Sequence, residues 1–570
     1  MNFLVKNNHL NFIITCCVIV LFSIILNFDR KIAIDGDARD YYSYLVSLFI
    51  NHNFTQQVGN DWYLIQTPTG TINVHTIGVA LLTAPFFFVA FGFAKLAGFE
   101  ADGFSLPFQI GIYVAGIFYC MMGLIYLKKL LLQLNIKNKY VAALIIICCF
   151  GTHLFSYTVN EPGMAHVYSF ALTSMFFYFV LNLFEKQNKK YFYFSAFVLG
   201  LIILVRPINV ILLTFIPFFF NNKNELINTF KGFFKSLHFY LALIVLGLVC
   251  FIQSFAWYCQ NGLFLQDSYV GNGFYFSSPQ IFKMLFEFNN GLFIYVPMCL
   301  LLLFGVFSIF KVNKFKGFVF SLSLGFIFYL FSSYWAYNYF DGFGIRTLVD
   351  FLPIFIIAGA YMFQNSRPKF TFVIGLLALF FLSVNLLHTY QYRSGIIKAN
   401  GMNFEKYKYV FLKTDKAYAD SLGGYNDLPL YSKTEAKLLY DTNSSNQLYQ
   451  IKNQDTTILF DYKINSKQTN RLYTVLEFER KETHRNSSFD GVMLFKATDS
   501  LGGDKTHNIF LLNETPANNC CDWKKYTYSI ATIGKFDKTD KWRLMILNPK
   551  KANFFIKNIT LKTFDYTYTI

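Results

Sequence analysis

LNFIITCCVIVLFSIILNF, residues 10–28, is followed closely by DGDARDYYSYL, residues 35–45, and this junction decides how the chain is read. The first stretch carries no charge and is close to the roughly 20 apolar residues that a helix needs to cross a bilayer. No small-residue cleavage site follows it, so it is expected to stay as a helix and not to be removed as a signal peptide. The second stretch sets acids and an arginine directly beyond that helix. Working outward, the chain is 54% hydrophobic, 20% aromatic and only 15% charged, with a mean hydropathy of +0.36. So little polar surface does not cover so much apolar surface in water, and the bilayer is the expected solvent for most of the chain. The 50 bases exceed the 33 acids by 17 charges. That excess falls in short loops between apolar runs, where it sets membrane orientation and does not point to nucleic acid.

Apolar runs long enough to span lie near 10–28, 105–127, 140–157, 165–184, 237–256, 291–310, 318–334 and 370–389. Shorter ones at 191–205, 207–220 and 350–364 are expected to be tilted or partly re-entrant. Loops 128–139, 185–190, 221–236, 311–317 and 364–369 hold fifteen Lys/Arg. Loops 98–104, 158–164, 257–290 and 334–349 hold two, Lys283 and Arg346. The first set is expected to be cytoplasmic and the second outside. Segment 74–97, with Pro85 at its middle, is read as a Pro-broken re-entrant or interface-lying helix. The count is then eleven crossings, with the N-terminus inside and the tail from about 390 outside; a cytoplasmic 29–73 is the competing reading.

The tail changes character. RLYTVLEFER (471–480), DGVMLFKA (490–497), KYTYSIATI (525–533) and KWRLMIL (541–547) are short, β-rich and bounded by polar turn residues. They predict a β-sandwich. The division is therefore a transmembrane domain over 1–389, an amphipathic connection over 390–450 and a soluble β-sandwich-like domain over 451–570. Eight of the ten Cys lie in or beside apolar segments and read as small hydrophobes. Cys520 and Cys521, adjacent in the polar tail, are either a vicinal disulfide or two plain thiols.

Charges at membrane depth or at its face are costly and mark function. One side of the expected topology gathers Asp35, Asp37, Arg39 and Asp40 after the first helix, His75 at the head of the Pro-containing segment, and Glu161 and His166 in NEPGMAH. Arg206 before Pro207, and Asp341, Arg346 and Asp350, complete the set. Asp37 and Tyr41 are four apart and share a helix face; helix capping by Asp37 competes with a chemical role. Glu161 and His166 also read as solvated residues around a Pro turn. Arg206 has no acid near it in sequence and either snorkels or binds an anion. Arg346, with Asp341 and Asp350 nearby in sequence, also reads as half of a structural ion pair. Tyr334, Trp335, Tyr337, Tyr339 and Phe340 read as an interfacial aromatic belt before a sugar platform.

With these residues assembled, the chain resembles the GT-C superfamily of membrane glycosyltransferases, which includes the protein O-mannosyltransferases and the aminoarabinose transferases that modify lipid A. One helix is followed by an outer loop opening on an Asp-x-x-x-Tyr motif, here Asp37 to Tyr41. Next comes an apolar, Pro-containing segment headed by a basic residue, here His75 in NVHTIGVALLTAP. Later an Arg-Pro lies within the membrane domain, here Arg206-Pro207. The family's Asp-Glu is Asp37-Ala38 in this chain, with Asp35 a second acid, and the Pro-Pro-Leu after the basic residue is absent. The resemblance covers about residues 1–390, and the tail matches in kind only.

The resemblance implies a lipid-linked-sugar-dependent hexosyl- or pentosyltransferase of the cytoplasmic membrane. It would move a sugar from a polyprenyl-phosphate donor to a glycan, lipid or protein acceptor on the outer face, with inversion. Asp37 would be the base, with Asp35 as alternate; Arg206 and Arg346 would hold the donor phosphate; Asp40, Tyr41, His75, Glu161 and His166 would position substrate. No cofactor is required, although the acids also suit a divalent cation. A transporter or flippase of lipid-linked saccharides is the second reading. It normally carries paired repeats and mid-membrane polar residues, which the sequence lacks. A non-catalytic glycan-assembly scaffold is the third.

Overall fold

The computed structural model describes residues 8–27, 32–58, 64–67, 70–186, 188–266, 273–339, 342–399, 401–415 and 418, and then 437–441, 448–451, 456–463, 469–482, 492–499, 504–511, 522–536, 539–548 and 553–565. Phe340, Asp341, Cys520 and Cys521 lie outside the described residues. The chain divides into two compact units, Met1–Tyr390 and Gln391–Ile570.

In the first unit the helices are α1 (Asn8–Asn27), α2 (Asp37–Phe49), α3 (Gly78–Ala97), α4 (Leu106–Gln133), α5 (Asn138–Phe150), α6 (Leu154–Val159), α7 (Ala165–Lys186), α8 (Lys190–Val205) and α9 (Lys223–Phe233). They continue as α10 (Leu237–Asn261), α11 (Ile281–Phe286), α12 (Leu292–Tyr295), α13 (Pro297–Leu303), α14 (Gly305–Val312), α15 (Lys314–Ser332), α16 (Leu352–Asn365) and α17 (Pro368–Arg393). Two 3-10 segments, Pro207–Phe219 and Arg346–Phe351, and a hairpin of β1 (Leu64–Thr67) and β2 (Gly70–Asn73) complete the unit. Seven helices among the described residues are long and apolar enough to cross a membrane: α3, α4, α7, α10, α15, the run Arg346–Asn365 and α17. Five shorter apolar segments accompany them. This is an integral membrane protein.

Several runs differ from their expected form, each for a backbone reason. Segment 74–97 is not broken at Pro85: α3 continues through it for 20 residues. Pro85 removes one N–H, but in apolar surroundings the other backbone groups have only the helix to bond to. The run 291–310 is broken instead, because Val296 precedes Pro297 and leaves helical geometry (φ −130°, ψ 63°). The run 140–157 breaks after Phe150, where Asn385 Nδ2 donates to the carbonyls of Phe150 and Thr152 at 2.9 Å each. Pro207–Phe219, with a proline near each end, forms thirteen residues of 3-10 helix. At about 2.0 Å per residue it reaches about 26 Å, against about 20 Å for an α-helix of that length.

Helix α4 sets the level of the site. Its first half runs antiparallel to α3, with Tyr119 Oη donating to the Leu82 carbonyl at 3.0 Å and Phe108 against Phe87. Its second half runs beside α7: Phe170 packs on Gly123, and Tyr126 meets Tyr178 at 5.5 Å between centroids. The start of α7 therefore lies level with the middle of α4, next to the start of α3.

The second unit carries α18 (Phe404–Val410) and the strands β3 (Lys437–Asp441), β4 (Tyr449–Ile451), β5 (Thr456–Tyr462), β6 (Thr469–Glu482), β7 (Val492–Thr498), β8 (Asp504–Leu511), β9 (Lys524–Phe536), β10 (Lys541–Leu547) and β11 (Phe554–Asp565). They form two antiparallel sheets, ordered β5-β10-β7-β8 and β3-β11-β6-β9, with β4 also paired to β11. The alternation in KWRLMIL buries Trp542, Leu544 and Ile546, as a period of two requires. These side chains join Phe495 from their own sheet and Leu476, Phe478, Phe554 and Leu561 from the other in one apolar cluster.

Candidate functional site

The acidic motif folds around Gly36, whose φ of +54° suits glycine, and the helix begins at Asp37. No side-chain capping bond forms at this N-terminus. Asp35 is exposed, its carboxylate accepting from the Gly36 N–H at 2.9 Å. Asp37 reaches instead to Arg346, with Oδ2 2.9 Å from Nη1, and these side chains are 14% and 18% exposed. Asp37 thus opens the helix, with Asp40 in the same turn, and also makes a long-range ion pair. Asp40, fully buried one turn on, offers its backbone carbonyl to Asn73 Nδ2 at 2.6 Å. Tyr41 lies on the ring of His75, with centroids 4.3 Å apart.

His75 is held from both sides. Asn73 Oδ1 accepts from its backbone N–H at 2.8 Å, and Tyr44 Oη donates to its carbonyl at 2.7 Å. Two residues on, the Ile77 N–H donates to Gln253 Oε1 on α10 at 2.7 Å. Gly78 lets the start of α3 press on the end of α8, since a Cβ there would sit 2.3 Å from the Leu204 carbonyl. That contact places His75 beside Arg206, the residue that ends α8. Burial lowers the His75 pKa to about 4; the Asp37 carboxylate opposes the shift, and Arg346 and Arg206 add to it. Three charges distant in sequence thus act on one imidazole.

A second cluster forms on Asp350, which is fully buried. Its Oδ1 lies 2.9 Å from His166 Nδ1; its Oδ2 accepts from Asn209 Nδ2 at 2.7 Å and lies 3.4 Å from Arg206 Nη1. Arg206 Nη1 is also 3.1 Å from His166 Nδ1. A proton on Nδ1 makes the ring a donor to Asp350, and its absence makes the ring an acceptor from Arg206. Arg206 therefore does have an acidic partner, 144 residues away in sequence. Arg346 pairs with Asp37, not with its sequence neighbour Asp350.

Glu161, half-buried, lies in the loop before α7, and its charge acts on both Tyr157 and Arg346. Gly163 brings that loop onto the start of α2: a Cβ would be 2.6 Å from Ala38 Cβ and 2.7 Å from the Ala33 carbonyl. Tyr157 Oη accepts from the Phe343 N–H at 3.0 Å, fixing the approach to Arg346. The fold thus brings together Asp37, Tyr41, His75, Glu161, His166, Arg206, Arg346 and Asp350 and leaves Asp35 facing outward. Asn73 and Asn209 are additional members that sequence reading missed. Neutral side chains of this kind are common in loops and helices, and their partners here are remote. In the aromatic run, Tyr334 stacks on Tyr339 and Tyr337 Oη donates to Glu287 Oε2 at 2.8 Å. Among the described residues no three His, Cys, Asp or Glu side chains converge as metal ligands would.

No family model matches the chain, and no curated protein matches it. Solved structures are similar in part. The oligosaccharyltransferase of Archaeoglobus fulgidus, in complex with zinc and sulfate, matches with a TM-score of 0.42 and 11% identity, over 74% of this chain and 59% of that one. The archaeal oligosaccharyltransferase AglB, also from Archaeoglobus fulgidus, with an inhibitory peptide and a dolichol-phosphate, gives 0.41 and 10% over 75% and 62%. The arabinosyltransferase EmbB of Mycobacterium smegmatis gives 0.31 and 9% over 85% and 59%. These structural neighbours are glycosyltransferases. The chain spans less than two thirds of the length of each. Likeness of this degree carries no residue correspondence, so the chemistry is read from this chain's own side chains.

Proposed function

We propose that the chain is a glycosyltransferase that moves a sugar from a polyprenyl-phosphate-linked donor to an acceptor hydroxyl at the outer face of the membrane, with inversion. The observation that carries this reading is the Asp37–Arg346 pair, 2.9 Å apart and partly accessible, with Arg206 close enough to act on the same imidazole. One carboxylate and two guanidiniums at the ends of apolar helices suit a donor whose lipid and sugar need different solvents. The acceptor hydroxyl is a poor nucleophile, and Asp37 takes its proton as the new bond to the anomeric carbon forms. The bond from that carbon to the phosphate oxygen breaks with its electron pair, and the phosphate gains a negative charge. Arg346 and Arg206 neutralise it. Arg346 orients Asp37 through Nη1, and its guanidinium has the forked geometry that suits a phosphate. As phosphate charge grows, it competes for Arg346 and frees the carboxylate.

In this scheme Asp350 is a positioning residue: it fixes the Arg206 guanidinium and the His166 tautomer. The same proposal has the N-terminus in the cytoplasm and the second unit outside, which requires α3, although unbroken, to lie along the membrane face and not to cross it. The test is sugar transfer from a synthetic polyprenyl-phosphate donor by the purified chain. Asp37→Asn abolishes turnover and leaves donor binding largely intact, whereas Arg346→Gln weakens donor binding as well. Full turnover in both Asp37→Asn and Asp35→Asn refutes the base assignment. A reporter at residue 60 is expected outside.

A further inference from the structure

The opposite end of α7 from the reacting cluster carries a different kind of site. The 22 residues of α7 place Ala165 and Lys186 about 33 Å apart. At the Lys186 end, α7, α8, α9 and α10 leave a groove of about 140 Å³. That is close to the roughly 150 Å³ of an apolar cavity that accepts one benzene, so it holds a stretch of hydrocarbon and not a whole lipid. Its walls are almost wholly apolar, with Phe184, Phe192, Phe233 and Phe239 around it. Phe233 meets Phe192 at 4.7 Å and Phe184 at 5.9 Å between centroids, so α9 is fastened over the ends of α7 and α8.

Two further observations say what the groove fits. Ser195 is one of the lining residues, and its hydroxyl is buried and has no partner; the residue is 8% exposed. A buried hydroxyl without a partner is costly unless something accepts its hydrogen bond. Six lysines surround the same end: Lys186, Lys189 and Lys190 at the α7–α8 turn, Lys223 and Lys231 on α9, and Lys235 before α10. Two acids accompany them, and both are engaged. Glu185 Oε2 accepts from Gln133 at 2.6 Å, and Glu225 Oε2 accepts from the Asn221 N–H at 2.8 Å. Asn222 Oδ1 caps α9 in the same turn, accepting from the Glu225 N–H at 2.9 Å, so the helix that bears Lys223 and Lys231 is firmly started.

We infer that this groove binds an anionic phospholipid. A stretch of one acyl chain fills the apolar groove, its ester carbonyl accepts from Ser195, and the phosphate headgroup lies among the lysines. Basic clusters beside apolar clefts between membrane helices recognise such headgroups through their excess charge. The hydroxyl lies about one and a half turns from Lys190, which matches the short separation of ester and phosphate in a glycerophospholipid.

The experiment uses the full-length protein, delipidated in detergent and given dioleoyl phosphatidylglycerol or dioleoyl phosphatidylcholine at equal concentration, with bound lipid read by native mass spectrometry. Phosphatidylglycerol is expected to be retained about tenfold over phosphatidylcholine. A Lys186→Gln/Lys189→Gln/Lys190→Gln/Lys231→Gln variant brings the ratio to about one, and the corresponding Arg variant keeps the preference. Ala196→Trp, which fills the groove, removes the adduct of both lipids. Equal retention by the unmodified protein, or a preference that survives the Gln variant, overturns the proposal. Should Ala196→Trp fail to fold, the Gln and Arg variants decide alone.

Discussion

Arg346–Asp37 in the membrane unit and Arg543–Asp461 in the second unit have nearly the same geometry and different meanings. The first includes a contact at 2.9 Å, with side chains less than one fifth exposed. The second is a two-armed pair at 2.7 and 2.9 Å between directly opposed residues of β10 and β5, with side chains 44% and 57% exposed. By distance the second is better made. Water and salt screen it, however, and exposed pairs of this kind contribute about 0.2–1 kcal/mol. The first holds charges where solvent is scarce, and a charge kept there at a cost is a candidate for function. Burial, not bond length, separates the two.

The comparison is broken most sharply by removing one acid from each. Asp37→Asn is expected to lower sugar transfer by about 10²–10⁴, the usual contribution of a general base, whereas Asp461→Asn leaves it unchanged; equal effects would erase the distinction. Next in size is Asp350→Asn, which removes the acid facing His166 and Arg206. It is expected to cost about 3–5 kcal/mol of stability, read by thermal or denaturant unfolding in detergent, and a loss below 1 kcal/mol (a rough threshold) would make the buried cluster no different from the exposed pair.

Gly78→Ala drives a Cβ into the Leu204 carbonyl. Such overpacking costs about 1–3 kcal/mol, and the same change at half-buried Gly92, where a Cβ meets nothing within 4 Å, has no such penalty. Smaller again is the pH response of His75. Its folded pKa, about 4, lies below the ordinary value of 6.5, so on acidification the unfolded chain takes up the proton first. The His75 contribution is complete above pH 6.5 and is lost as pH falls from 6.5 toward 4, with a slope of up to about 1.4 kcal/mol per pH unit. His75→Gln should flatten the stability profile in that window. The smallest effect is that of Asp461→Asn on stability, about 1 kcal/mol or less and diminished by salt.

Much of this was legible in the sequence because a bilayer leaves the backbone few options. Runs such as 165–184 and 237–256 had to be helices, and they are. The β-rich pattern of 541–547 was equally direct. The charged residues of the site were readable one at a time, since each stood where charge is costly. Their pairing was not. Arg346 looked matched to Asp341 or Asp350; Asp341 lies outside the described residues, Arg346 meets Asp37, and Asp350 meets residues more than 140 positions distant. Asn209 and Asn73 gave no signal at all, because a neutral amide declares its role only when its partner is known. Pro85 misled in the other direction: one missing N–H does not end a helix that has nowhere else to place its remaining bonds.

The thirteen-residue 3-10 segment after Arg206 has a mechanical consequence. It is an extended spring whose upper end is the Asp350 cluster, for Arg206 immediately precedes it and Asn209 lies in its first turn. Rewinding it to α-helical pitch would shorten it by about 6 Å, far more than the hydrogen bond from Asn209 to Asp350 can follow. That bond is therefore a gauge of the segment's winding, and the stance of one cation in the site is coupled to the pitch of a helix running away from it.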